Sequence, residues 1–268
     1  MPCAEINGIN VYYETHGANG PYLMLICGLG AHLATWDVEL IEALSKRAQV
    51  ILFDNRGAGR SDKPDTEYSM AMFADDAACL LDVLQIESAF ILGASMGGMI
   101  AQEFALRHPH KTTGLMLCCT SPGSKRMVLP EPEVLETLAQ VDGLTPEEIH
   151  RKNRPLSFTP KFIEQKWDWL EEKMRREIPY TAPAFSFNHQ MAAAMQHNTY
   201  NRLPNIECPT LVMTGTDDIL IPPGNSELIA SQIPGAILRR YANAAHGFMS
   251  EAMDTVVRDI FMFMGLDS

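Results

Sequence analysis

Basic residues are the scarce class in this chain. Lys and Arg number 21 against 33 Asp and Glu, a formal net charge of -12 over 268 residues. No basic run is long enough to replace the counterions of a phosphate backbone, so nucleic acid is excluded as an expected partner. The acidic balance favours solubility and identifies no substrate. No apolar run approaches the roughly 20 residues that a membrane-spanning helix needs, so no membrane partner is expected. The first residues, Met1 to Gly8, lack the charged start and apolar stretch of a secretory signal. The six cysteines, Cys3, Cys27, Cys79, Cys118, Cys119 and Cys208, form no CxxC pair and show no metal-ligand spacing with histidine. Buried, reduced thiols and a cytoplasmic location are the expectation.

What is present is enough apolar sequence, 46%, to bury one sizeable core. Asn7-Gly8 between Glu5-Ile6 and Ile9–Tyr13 predicts a tight hairpin, because both turn residues tolerate positive φ. Short apolar runs follow at Tyr22–Ile26, Val50–Phe53, Ala89–Leu92, Leu115–Cys118 and Thr210–Met213, with Ala236–Arg239 a weaker one. Runs of this length that end at Gly, Asp or Ser read as strands buried on both faces. Between them Phe73, Ala77, Leu80, Leu81 and Leu84 make one helical stripe, Met99–Leu106 is a second helix, and Thr255–Met264 closes the chain. Alternation of this kind predicts an α/β fold with a mostly parallel sheet and helices on both faces.

The rhythm stops at about residue 121 and resumes at Cys208-Pro209. In between lie helix-prone pieces: Glu131–Gln140, Pro146–Arg151, Pro160–Glu177 and Ala182–Gln196. The expected organisation is a core made of 1–120 and 207–268, interrupted by a helical cap at 121–206.

Gly93-Ala-Ser95-Met-Gly97 follows a strand and opens a helix. A nucleophilic serine needs that placement: a sharp turn projects the hydroxyl above the sheet, and flanking glycines remove colliding side chains. The helix behind it offers N-terminal amides to developing negative charge. Serine requires a base. Of the eight histidines, His246 in Ala244-Ala-His-Gly-Phe248 sits among small residues after the last predicted strand. His16, His108 and His110 lie beside turn residues and read as solvated, His150, His189 and His197 fall in the insertion, and His32 follows the first Gly-rich loop. An acid must orient the base. Asp217 and Asp218 both qualify on composition, and an acid here completes a Ser…Asp…His order. For an oxyanion hole, the Met96 amide at the helix start is the natural first donor and Leu29, in Cys27-Gly28-Leu29-Gly30-Ala31, the second.

Asp54-Asn-Arg-Gly-Ala-Gly-Arg-Ser61, Gly93–Gly98, Gly215-Thr-Asp-Asp218…Pro222 and Ala245-His-Gly247 resemble the α/β-hydrolase superfamily over nearly the whole chain. The chain is most similar to the group holding 3-oxoadipate enol-lactonases and cofactor-free haloperoxidase-like carboxylesterases. The resemblance implies a mostly parallel eight-stranded sheet flanked by helices, with the helical cap over the strand ends. It places the acid at Asp218 and makes Asp54–Ser61 a structural brace. It also implies a serine hydrolase acting on a small-molecule ester or lactone through an acyl-enzyme, with no metal and no organic cofactor. Two departures stand out: Cys27-Gly28 replaces the usual His-Gly, and Ala94 precedes the nucleophile. Cys118–Ser121 offers no carboxylate at the alternative acid position. Trp167, Phe187, Met191 and Phe248 are expected to line the substrate pocket, while Arg151, Lys152 and Arg154 could meet a carboxylated lactone but read first as a solvated face. The same triad also serves C–C bond hydrolases of this fold and slow-turnover receptors that retain it. A homo-oligomer is compatible with every one of these readings.

Overall fold

The computed structural model describes residues 2–139 and 143–266; Gln140, the expected end of the first insertion helix, lies outside them. Cys3–Ile6 (β1) and Ile9–His16 (β2) form the hairpin, paired Ile6 to Ile9. Its turn has Asn7 at φ 45° and Gly8 at φ 77°, the double positive φ that the Asn-Gly pair predicts. Tyr22–Ile26 (β3), Gln49–Phe53 (β4), Ala89–Ala94 (β5), Thr112–Cys118 (β6), Thr210–Gly215 (β7) and Ile237–Tyr241 (β8) complete an eight-stranded sheet. The strand order is β1-β2-β4-β3-β5-β6-β7-β8. Only the β1–β2 and β2–β4 pairs are antiparallel.

Helices cover both faces, which is why the inner strands read as unbroken apolar runs. Along β3, Met24 and Ile26 join one core while Leu23 and Leu25 join the other, and all four are fully buried. Val38–Ser45 (α1) packs on the second core through Leu40 and Leu44. Met70–Val83 (α2) and Met96–Arg107 (α3) pack on the first, through Phe73, Leu80, Ile100 and Phe104. The expected stripe on α2 is buried at Phe73, Ala77, Leu80 and Leu81, and Ser69 caps the helix by accepting from the Met72 amide.

Between β6 and β7 lie Pro132–Ala139 (α4), Pro146–Ser157 (α5), Pro160–Gln165 (α6), Trp167–Glu177 (α7) and Ala184–Met195 (α8). Two differences from expectation appear here. Helix α5 runs on through Pro155 instead of stopping near Arg151, helped by a capping box between Thr145 and Glu148. The stretch 160–177 is two helices, broken at Lys166, whose φ of -120° and ψ of 23° are not helical. Gly224–Gln232 (α9) follows β7, and Phe248–Glu251 (α10) and Met253–Phe263 (α11) end the chain. The weaker run is present as strand β8, but at the sheet edge, with Ile237 44% exposed instead of buried. No helix among the described residues is long and apolar enough to cross a membrane.

The Asp54–Ser61 stretch is a hydrogen-bonded brace at the carboxyl end of β4. Asp54 accepts from the amides of Leu33 and Arg60, each at 2.7 Å, and Ser61 Oγ donates to the Asp54 carbonyl. Arg56 is buried and forms a two-pronged pair with Asp76 of α2, at 2.6 and 2.8 Å. Asn7 also donates to Asp76, so the carboxylate ties the hairpin, the brace and α2 together. Asp76→Ala leaves the Arg56 charge buried without its partner. The expected loss of stability is about 3–5 kcal/mol, read from urea unfolding, and an unchanged midpoint would contradict it.

Candidate active site

Ser95 joins β5 to α3 with φ 58° and ψ -123°, a conformation that non-glycine residues avoid. Its neighbours explain why the chain tolerates it. A Cβ on Gly97 would lie 2.1 Å from the Ile26 carbonyl oxygen, and one on Gly93 would lie 2.1 Å from that of Gly97. The backbone therefore turns in a space that no side chain could share. The Ser95 amide donates to the Cys118 carbonyl at 2.9 Å, and Thr120 Oγ1 donates to the Ser95 carbonyl at 2.7 Å. Ser95 itself is half-buried.

The two aspartates after β7 separate cleanly. Asp217 is exposed and accepts from Thr216 Oγ1. Asp218 is buried, and one carboxylate oxygen accepts from the Leu220 and Ile221 amides, at 2.9 and 2.8 Å. Its other oxygen lies 2.8 Å from His246 Nδ1. Burial presses the imidazole towards neutrality, but the Asp218 charge and the adjacent Cys119 outweigh it and hold its pKa well above the ordinary value. Among the described residues no hydrogen bond joins Ser95 Oγ to His246. The ring's second neighbour is the Cys119 thiol, which lies within 4.8 Å of both the imidazole and the Asp218 carboxylate.

The histidine loop is fastened to the helices between β6 and β7. Glu251 accepts from the Ala245 amide at 2.5 Å and, through its other oxygen, from the Thr159 amide at 2.8 Å and Oγ1 at 2.7 Å. The Gly247 amide donates to the Ser157 carbonyl at 2.6 Å.

The loop after β3 lies against the nucleophile. A Cβ on Gly28 would sit 3.1 Å from Ser95 Cβ and 3.6 Å from its Oγ. Cys27, where the resemblance leads one to expect His, is fully buried, with burial pushing its thiol pKa up strongly. Support for the loop comes from elsewhere. Asn55 Nδ2 donates to the Cys27 carbonyl at 3.1 Å. Gln190 of α8, fully buried, accepts from the Gly30 amide at 2.8 Å and donates to the Arg56 carbonyl at 2.9 Å. One turn earlier, Ser186 Oγ donates to the Gly57 carbonyl at 2.6 Å. Sequence reasoning missed Gln190 and Cys119. A glutamine or cysteine carries no motif, and the Gly30–Gln190 contact spans 160 positions.

The expected pocket residues fare unevenly. Phe187 sits by the loop: its ring would be 2.9 Å from a Cβ on Gly30. Met191, the residue after Gln190, is half-buried. Trp167 is 48% exposed and lies under the Arg154 guanidinium at 4.8 Å, a surface stacking position. Phe248 is a correction: it is wholly buried and stacks on Tyr241 with ring centroids 5.0 Å apart, which makes it core. Arg154 is another, whereas Arg151 is exposed as expected. Both arginines pair with Glu171, and Arg154 is buried. His32 is packed, with Nε2 3.1 Å from the Glu177 carbonyl, and burial lowers its pKa to about 4.

Comparison with known proteins gives one family. The model of the alpha/beta hydrolase fold matches residues 21–252. A protein named as a carbamate hydrolase, RutD, from Azorhizobium caulinodans is 30% identical over 268 residues, 99% of this chain and 98% of its own. The crystal structure of the enol-lactonase from Burkholderia xenovorans LB400 superposes with a TM-score of 0.86 at 26% identity, covering 98% of this chain and 100% of its own. Est816, described as an N-acyl homoserine lactone degrading enzyme, superposes with a TM-score of 0.83 at 26% identity, over 98% of this chain and 100% of its own. With the strained serine turn on β5, the buried Asp218 paired with His246 and an eight-stranded sheet of this order, the chain belongs to the α/β-hydrolase fold family.

Proposed function

We propose that this protein is a serine hydrolase that cleaves a carboxylic ester or lactone, with Ser95 as nucleophile, His246 as base and Asp218 as the orienting acid. The observation that carries the reading is the Asp218–His246 hydrogen bond beside a serine on a strained strand-to-helix turn. An aspartate on Nδ1 fixes the tautomer that leaves Nε2 as the acceptor, and its charge stabilises the imidazolium once formed. His246 takes the Ser95 proton as Oγ attacks the carbonyl carbon. The amides of Leu29 and Met96 receive the oxyanion. Gly30 cannot serve in place of Leu29, because its amide is already committed to Gln190. Collapse releases the alcohol with the proton from His246, and water, deprotonated by the same imidazole, releases the acid.

The missing Ser95–His246 contact is compatible with this reading, since catalytic hydrogen bonds often tighten only with substrate in place. The names of the relatives, an enol-lactonase and a homoserine lactone degrading enzyme, support an acyl carbon–oxygen bond as the target. The carbamate hydrolase among them makes carbamates the natural comparison substrates. Gln190 is a positioning residue here, because it holds the chain on both sides of the oxyanion loop without touching the reacting atoms.

Turnover of a panel of p-nitrophenyl esters, aliphatic lactones and an aryl carbamate tests the reading. Ser95→Ala is expected to lower kcat/KM by at least about a thousandfold on every substrate that the wild type uses, and retained activity would sink the assignment. Asp218→Asn is expected to cost about 10⁴-fold, and Asp217→Asn less than about twofold. Equal losses at the two aspartates would mean that the acid is misassigned. The rate should rise with pH as His246 loses its proton. Because the Asp218 charge raises the imidazole pKa, the acid limb of the Asp218→Asn profile moves to lower pH. Gln190→Leu is expected to lower kcat by about tenfold or more with KM little changed; a pure KM effect would place Gln190 in substrate binding.

A further inference from the structure

One buried group at the site has no part in ester cleavage. Cys119 follows β6 at φ 40° and is 3% exposed, with its amide donating to the Met213 carbonyl at 2.9 Å. Its sulfur, an imidazole nitrogen of His246 and a carboxylate oxygen of Asp218 all lie within 4.8 Å of one another. A thiolate, an imidazole and a carboxylate form a ligand set that suits a borderline-soft divalent cation.

We propose that Cys119, Asp218 and His246 form an inhibitory binding site for a thiophilic divalent cation such as Zn²⁺ or Cd²⁺. Tetrahedral zinc with one sulfur, one nitrogen and one oxygen ligand sets ligand atoms about 3.3–3.6 Å apart, from bond lengths of about 2.0–2.3 Å. At the 4.8 Å limit the widest pair closes by about 1.2–1.5 Å, and the Asp218–His246 separation of 2.8 Å opens by about 0.5–0.8 Å. The imidazole is 14% exposed, while Asp218 and Cys119 are buried. Three protein ligands leave a fourth position for water.

Binding is a ligand exchange without electron transfer. The ion loses coordinated water, Cys119 gives its thiol proton to the buffer, and a metal–sulfur bond forms. His246 frees Nδ1 by releasing its proton to the buffer when the ring is charged, or by passing it through solvent to Nε2 when the ring is neutral, and the remaining proton sits on the nitrogen facing away from the ion. With His246 and Asp218 both ligated, the base has no lone pair for Ser95 and the acid no longer orients it. Inhibition follows directly and does not depend on blocking substrate entry. The inhibitory consequence rests on the triad reading above, whereas the binding site does not.

Cd²⁺ titration of the full-length protein tests the site through two readouts: the ultraviolet cadmium–thiolate absorbance and the residual hydrolysis of a p-nitrophenyl ester. One ion per chain is expected, with the absorbance step and the loss of activity saturating together. In Cys119→Ser, which keeps the shape of the side chain, the step attributable to this thiol disappears. The inhibitory concentration, normalised to that variant's own metal-free rate, rises at least tenfold. A smaller rise, or an unchanged absorbance step, overturns the proposal. Ser95→Ala should bind Cd²⁺ as the wild type does, even with no turnover. That arm separates the two readings: a Ser95→Ala protein that binds normally supports the metal site whatever Ser95 does. A wild type that hydrolyses esters but shows no Cys119-dependent step removes the metal site alone.

Discussion

Ser95 can hold its backbone at φ 58° only because the chain around it leaves no softer alternative. Such a conformation costs about 1–3 kcal/mol, and packing at this turn offsets it. Strands β3 and β5 are neighbours in register, Ile26 beside Gly93, so the Ile26 carbonyl meets Gly97 just past the serine. The same pairing carries the chain beyond Ile26 directly against the Ser95 side chain at Gly28. Sheet order, the serine turn and the amide-bearing loop are one constraint seen at three scales. A shift in the β3–β5 register would move all of them together.

The helices between β6 and β7 take part in this arrangement. Gln190 and Ser186, one turn apart on α8, reach the loops after β3 and β4. Thr159 and Ser157 hold the histidine loop after β8, through Glu251 and Gly247. Helix α7 adds a buried charge cluster in which Lys173 meets Asp37 at 2.7 Å and Glu177 at 3.1 Å. Satisfied buried polar groups contribute modestly to stability, but leaving one without a partner costs about 1–3 kcal/mol. These bonds therefore act mainly to fix where the loops lie.

How much of this could be read from sequence follows the range of the interaction. The inner strands are legible because two-sided burial demands unbroken apolar runs, and the Asn7-Gly8 turn because its conformation is local. The serine turn is legible because Gly93 and Gly97 flank it in the sequence, although the clash that Gly97 avoids is with the distant Ile26 carbonyl. Strand β8 is faint because an edge strand needs fewer apolar positions. The break at Lys166 carries no sequence mark, because neither Gly nor Pro stands at the joint between the two helices. Asp217 and Asp218 are equivalent by composition, and only burial with two amide donors tells them apart. Phe248, which looked like a pocket residue beside His246, turns inward to Tyr241. Gln190 and Cys119 gain meaning only from partners far away in the chain.

Gln190 has a consequence for how such proteins can be recombined. The helical segment looks like a removable module, entering after β6 and leaving before β7. Yet one of its side chains supplies the only described acceptor for the Gly30 amide and grips the Arg56 carbonyl as well. A chimaera that exchanges this segment for a relative's inherits a scaffold whose loop was shaped by a residue it no longer contains. Compatibility between donor and recipient is then decided less by the joints, or by the size of the transplanted piece, than by whether an amide side chain arrives at this one helical position.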